Sequence, residues 1–176
     1  KKFLLLASAG LMAIGPAVAA EKVKIGFVTT ITTPAGVIGK DMVDAVNLAM
    51  EDIGGKMAGL DVELIVEDDG FKPAIGKQKT DKLVKQDKVQ FVTGFIWSHV
   101  LLASQKSALG AGKFLISSNA GPSQMAGKLC HKNFFSTSWQ NDQTPMAMGE
   151  VLNLNNVKSL YVMAPNYAAG KNMVAG

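Results

Sequence analysis

The polar groups best placed for chemistry fall in two short turns, each after an apolar run. Ser98 follows the run Gln90–Phe95 and opens a helical stretch closed by Gly110 and Gly112, in which Val100, Leu101, Ala108 and Leu109 mark a broad buried face. The next run, Lys113–Ile116, ends in the small-residue turn Ser117–Gly121, which holds Asn119, Ala120 and Gly121. A strand, a helix and a parallel strand form a βαβ unit, so both turns belong to one edge of the sheet. Serine is a good N-cap residue, and the first N–H groups of a helix have no partner within it. Ser98 is therefore expected to cap its helix and to face an anion, most simply a carboxylate.

Other chemistries find less support. Cys130 and His131 are sequence neighbours, whereas a nucleophilic Cys–His pair needs facing side chains and an orienting third group. Asp68 and Asp69 end an apolar run just before Pro73, where loop and helix-start roles suit them better than metal or acid–base work. There is no G-x-S-x-G elbow and no G-x-G-x-x-G turn, and Gly36–Asp41 is too short for a P-loop. Two histidines and one cysteine, scattered, do not make a zinc site. The expectation is a binding protein without metal, cofactor or catalytic group.

Charge narrows the partners. All 18 basic residues are lysine, against 14 acidic ones. No helix carries a basic stripe, so nucleic acid is not expected as a partner. Without arginine no bidentate guanidinium clamp is available, and an anion must be held by hydroxyls, backbone N–H groups or lysine. The sole cysteine, Cys130, is expected to be buried and free, or paired with a cysteine outside this sequence.

Elements that would position these groups read clearly over most of the chain. Lys1 and Lys2, the apolar run Phe3–Ile14 and the small residues Ala17–Ala20 have the form of a secretory signal cleaved after Ala20, and Gly10, Gly15 and Pro16 argue against a membrane anchor. Export to the periplasm, with no stable membrane insertion after cleavage, follows as an expectation. Val23–Val28 is a strand; Met42, Val43, Val46, Met50 and Ile53 recur at helical spacing up to Gly54-Gly55. Val62–Val66 is a second strand, and Pro73 starts a helix whose lysines face outward. Alternating strands and helices with nearly continuous apolar strands predict a doubly wound, Rossmann-like α/β lobe with a parallel sheet. Beyond Gly121 come a possible short helix in 122–132, a strand at Asn133–Ser136, a helix from about Pro145 to Leu154, a strand at Ser159–Ala164 and a helix over Tyr167–Ala175. Those last two elements are expected to begin a second, similar lobe.

The ordered set VKIGFVTTITTPAGVIGKDMVDAVNLAMEDI, VELIVEDDGFKP, FVTGFIWS, FLISSNAG and LYVMAPNYAAGK resembles the leucine/isoleucine/valine-type periplasmic binding proteins, the solute receptors of ABC importers. The resemblance spans Glu21–Gly176. It implies a first lobe over 21–138, a crossing segment and helix over 139–158, the start of a second lobe over 159–176, and a ligand trapped between lobes. It also implies delivery to an inner-membrane ABC permease, or, in a sensing relative, report to a signalling partner. Carried over by position, the carboxylate contact falls on Ser98, and the turn that serves the same carboxylate on Asn119, Ala120 and Gly121. The aromatic residue over the ligand matches Tyr167, and a residue bordering the ligand side chain matches Ile38. Two departures stand out: Gly121 replaces the usual Ser or Thr, and Phe71 and Trp97 occupy positions that some members join by a disulfide. Trp97 is thus expected either to stack on a ligand or to pack against Phe71. The implied ligand is a branched-chain amino acid or a related carboxylate such as an aromatic acid, with those aromatic side chains favouring the latter.

Overall fold

The computed structural model describes residues 21–176; the segment 1–20, read above as a secretory signal, lies outside the described residues. The strands are β1 (Val23–Thr29), β2 (Lys56–Met57), β3 (Leu60–Asp68), β4 (Phe91–Gly94), β5 (Phe114–Ser117) and β6 (Phe134–Ser136). The helices are α1 (Gly36–Asp52), α2 (Pro73–Lys85), α3 (Ser98–Leu109), α4 (Gln143–Leu154) and α5 (Ala168–Ala175), with a 3-10 turn at Ser123–Ala126.

The sheet runs in the order β2-β3-β1-β4-β5-β6, and every pairing is parallel except the short hairpin of β2 with β3. Strand order reverses direction at β1, whose neighbours are β3 and β4, so the doubly wound lobe has its switch point there. Register then fixes the carboxyl edge. Thr29 lies opposite Asp68, Val28 opposite Gly94, Gly94 opposite Ser117, and Ser117 opposite Ser136. The loops after β1, β3, β4, β5 and β6 therefore leave from one rim.

The core lies between the sheet and the α2–α3 layer: Val28, Leu83, Val92, Leu101 and Leu115 are fully buried together. Gly26 sits so close to Leu83 that a Cβ there would come within 2.8 Å of its Cδ1. The opposite sheet face carries α1, whose Met42 and Val46 flank Phe27 and Thr93. Pro73 opens α2 at its first turn, as the sequence indicates. The strand read as Gln90–Phe95 spans Phe91–Gly94: it ends at Gly94, where the backbone turns to positive φ (98°), and Phe95 follows at 63°, outside the extended region.

Two expectations fail. Ser159–Ala164 forms no strand: Tyr161 and Met163 are 90% and 87% exposed, and no strand among the described residues lies beside the segment to share its N–H and C=O groups. Apolar alternation sets a preference, but a ladder requires a neighbour. Of the two readings of Cys130, burial fails: it is exposed, in the loop between the 3-10 turn and β6, which leaves the reading that pairs it with a cysteine outside this sequence.

Candidate functional site

The first two loops of the rim are braced by the acidic pair. Asp68 accepts from the Ile31 and Gly70 N–H groups, each at 2.9 Å, and from the Thr32 hydroxyl. Asp69 accepts from the Thr30 hydroxyl and, at 2.8 Å, from the Phe71 N–H. The loop roles read from sequence for these residues are therefore the observed ones. Burial pushes both carboxyls up. At Asp68 the donors from Thr32, Ile31 and Gly70 outweigh burial and hold it below the ordinary value; at Asp69 burial wins and it stays above.

In the third loop the cap expectation is corrected. Trp97 occupies the N-cap position of α3 with extended backbone, and Ser98 is the first helical residue, with no side-chain capping bond. The helix begins one residue earlier than expected, so Ser98 is past the cap position and its hydroxyl is free for another partner. Ser98 is 2% exposed, and its Oγ accepts from Asn141 Nδ2 at 3.0 Å. Accepting that bond leaves the serine proton to donate. The N–H groups of Ser98 and His99 have no acceptor among the described residues, as expected for a first helical turn.

The fourth loop folds back on the third. Asn119 Nδ2 donates to the Ile96 carbonyl at 2.9 Å, and the Ala120 N–H donates to the Phe95 carbonyl at 2.9 Å. Asn119 and Ala120 are thus engaged in bracing the two loops. Gly121 differs: its carbonyl accepts from the Asn141 N–H at 2.8 Å, while its own N–H has no acceptor among the described residues. A Cβ at 121 would lie 2.0 Å from the Trp139 carbonyl oxygen. Glycine is required there because the 139–141 segment crosses directly over it.

Asn141 therefore ties Ser98 to Gly121, and Asn172 of α5 extends the network by accepting from Asn141 Nδ2 and from the Ser123 N–H, each at 3.2 Å. Sequence reasoning missed Asn141. Its only signal was its place in the polar stretch Thr137–Gln143. Beside Gly121 opens a cavity of about 220 Å³, lined in part by Pro122, Met125, Phe134, Trp139 and Gln143.

Among the remaining predicted residues, Trp97 and Tyr167 come together, with ring centroids 6.1 Å apart. Trp97 also packs on Phe71 at 4.7 Å. Burial raises the Tyr167 hydroxyl above its ordinary pKa. Ile38 is not joined to this group by any recorded hydrogen bond; it stands in the first turn of α1 and is 42% exposed. No group of metal-ligating side chains occurs among the described residues, and no helix there is long and apolar enough to cross a membrane.

The rim thus gathers several N–H groups that have no acceptor among the described residues. Residues 22–176 match the family model described as periplasmic binding protein. A solute-binding protein of an ABC transporter from Rhodopseudomonas palustris, solved in complex with benzoate, superposes with a TM-score of 0.82 at 27% identity, covering 88% of this chain and 43% of that one. One from R. palustris BisB5, in complex with 3,4-dihydroxy benzoic acid, gives 0.81 at 26% identity, covering 88% and 42%. The LivJ branched-chain amino acid binding protein of Streptococcus pneumoniae, in complex with isoleucine, shares the fold with a TM-score of 0.71 at 24% identity, covering 88% and 45%. A search of curated protein sequences gave no match. The chain spans less than half the length of these solved structures, and over that span it belongs to the periplasmic binding protein family.

Proposed function

We propose that this chain is the first lobe, and the start of the second, of an exported receptor that captures a small carboxylate and hands it to an ABC permease in the inner membrane. The division into a lobe over 21–138, a crossing segment over 139–158 and a second lobe from 159 belongs to this reading. So do residence in the periplasm and the absence of catalysis.

The observation that carries it is the bridge from Asn141 to both Ser98 and Gly121. It brings the serine hydroxyl near a glycine N–H that lacks a partner, at the end of a helix whose first N–H groups are also unpartnered. Charge-assisted hydrogen bonds contribute roughly 1.5–3 kcal/mol each, and micromolar affinity corresponds to about 8 kcal/mol. Three such donors and an apolar contact reach that range before the cost of association, so the second lobe must add contacts of its own. Closure of one lobe on the other would supply them and create the surface a permease reads.

Between the two ligand classes, the aromatic side chains at the rim and the benzoate complexes of two relatives above 25% identity favour an aromatic acid. A thermal-shift screen of the full-length mature protein against benzoates and branched-chain amino acids tests the reading. Stabilisation by benzoates is expected; stabilisation by no carboxylate would overturn it.

A further inference from the structure

Four rings at the rim form a closed cycle. Phe71 meets Trp97 at 4.7 Å and His99 at 5.0 Å between centroids, and Tyr167 meets the same two at 6.1 and 5.4 Å. Every contact is edge to face, with interplanar angles of 72–85°. The cycle is not sealed core: Phe71 is 42% exposed, and Trp97, His99 and Tyr167 are half-buried.

Behind the rings lies a relay that no strand or helix requires. Trp97 Nε1 donates to Thr30 Oγ1 at 2.9 Å, and the Thr30 hydroxyl donates in turn to Asp69 Oδ1. The same Oδ1 accepts from the Phe71 N–H at 2.8 Å. Thr30 and Asp69 are both fully buried. Phe71 has φ +67°, a left-handed conformation that a bulky residue adopts only where its surroundings impose it. The carboxylate at Asp69 imposes it through that N–H.

We propose that the buried Thr30–Asp69 pair is a positioning element that sets Trp97 and Phe71 as fixed walls and so makes the receptor prefer a planar aromatic acid to an aliphatic one of similar size. The proposal rests on the carboxylate-receptor reading above. Its physical basis is the ring quadrupole: an aromatic guest presents a positive edge to a negative ring face, and a saturated ring has no such edge. That gain depends on angle, and the indole angle is set by its single N–H donor, which Thr30 accepts. Asp69 Oδ2 and His99 Nδ1 are buried in the same region without partners.

The test is calorimetric titration of the full-length mature protein with benzoate and with cyclohexanecarboxylate, for wild type, Thr30→Val, Thr30→Ser and Phe71→Ala. Thr30→Val and Phe71→Ala are expected to cut the preference for benzoate by about two- to tenfold, the worth of an oriented aromatic contact. Thr30→Ser, which keeps the hydroxyl, is expected to retain the wild-type ratio, a rescue that general loosening would not give. Should Thr30→Val fail to fold, Phe71→Ala leaves the buried pair intact and must still lower the ratio. Binding of both acids with an unchanged ratio in the folded variants overturns this inference alone. Binding of neither acid by the wild type overturns this inference, and the carboxylate reading falls with it only if the branched-chain amino acids also fail to bind.

Discussion

Asn141 Nδ2 donates to Ser98 Oγ at 3.0 Å across 43 residues of sequence, and the backbone of the same asparagine holds Gly121. One residue of the stretch between β6 and α4 thus sets the distance between the two loops that would grip a carboxylate. Asn141→Ala should weaken binding of a carboxylate ligand about tenfold, the effect of losing roughly one buried hydrogen bond and its orientation. Titration of the variant against wild type checks it, and unchanged affinity would reduce Asn141 to a packing residue.

Gly121→Ser would supply the hydroxyl that the resemblance leads one to expect, yet it should not improve binding. Its Cβ would meet the Trp139 carbonyl at 2.0 Å, so the 139–141 stretch would have to move. A loss of about 1–3 kcal/mol in stability is expected, together with weaker ligand binding. Denaturant unfolding measures the first and titration the second.

Acid should unfold the lobe through Glu67 and Asp68. Burial pushes Glu67 up, but hydrogen bonds from Lys79 and Lys82, each at 2.7 Å, outweigh it and hold the carboxyl below 4.5. Asp68 is likewise held below 3.8. The unfolded chain therefore takes up these protons first as pH falls. The stability they contribute is full above those ordinary values and is lost as pH falls through the lower folded ones. Asp69 acts the other way: its raised value means that stability declines as pH rises from 3.8 through that value. Glu67→Gln should flatten the acid limb of a plot of melting temperature against pH; an unchanged slope would show that the two lysines do not act on it.

Much of this was legible in the sequence because the lobe obeys local rules. Apolar runs with helical stretches between them gave the parallel sheet, and Pro73 marked the start of α2. The switch-point rule selects the turns after β4 and β5, and Ser98 and the 119–121 turn do leave the same rim. What escaped depended on partners distant in sequence. The cap role of Ser98 failed by one residue, since the helix already begins at Ser98 and Trp97, whose indole reaches Thr30, takes the N-cap position. Asn141 had no pattern of its own to mark it. Ser159–Ala164 carries the composition of a strand but has no neighbouring strand in the described residues. The role of Asp69 was half visible: a loop brace, without the indole and phenyl rings it orients.

The same segment gives a further expectation. With Tyr161 and Met163 exposed, the amides of 159–164 should exchange with solvent within the fastest class in this 176-residue chain. In the full-length protein they should be protected by a second sheet. Equal exchange in both would argue against a second lobe beginning there.

The central claim is tested most directly by titrating benzoate into the full-length mature protein and its Ser98→Ala variant. The account predicts saturable one-to-one binding by the wild type, weakened roughly tenfold to a hundredfold when the hydroxyl is removed. Wild-type affinity in the variant, with its fold intact, would contradict the placement of the carboxylate at Ser98.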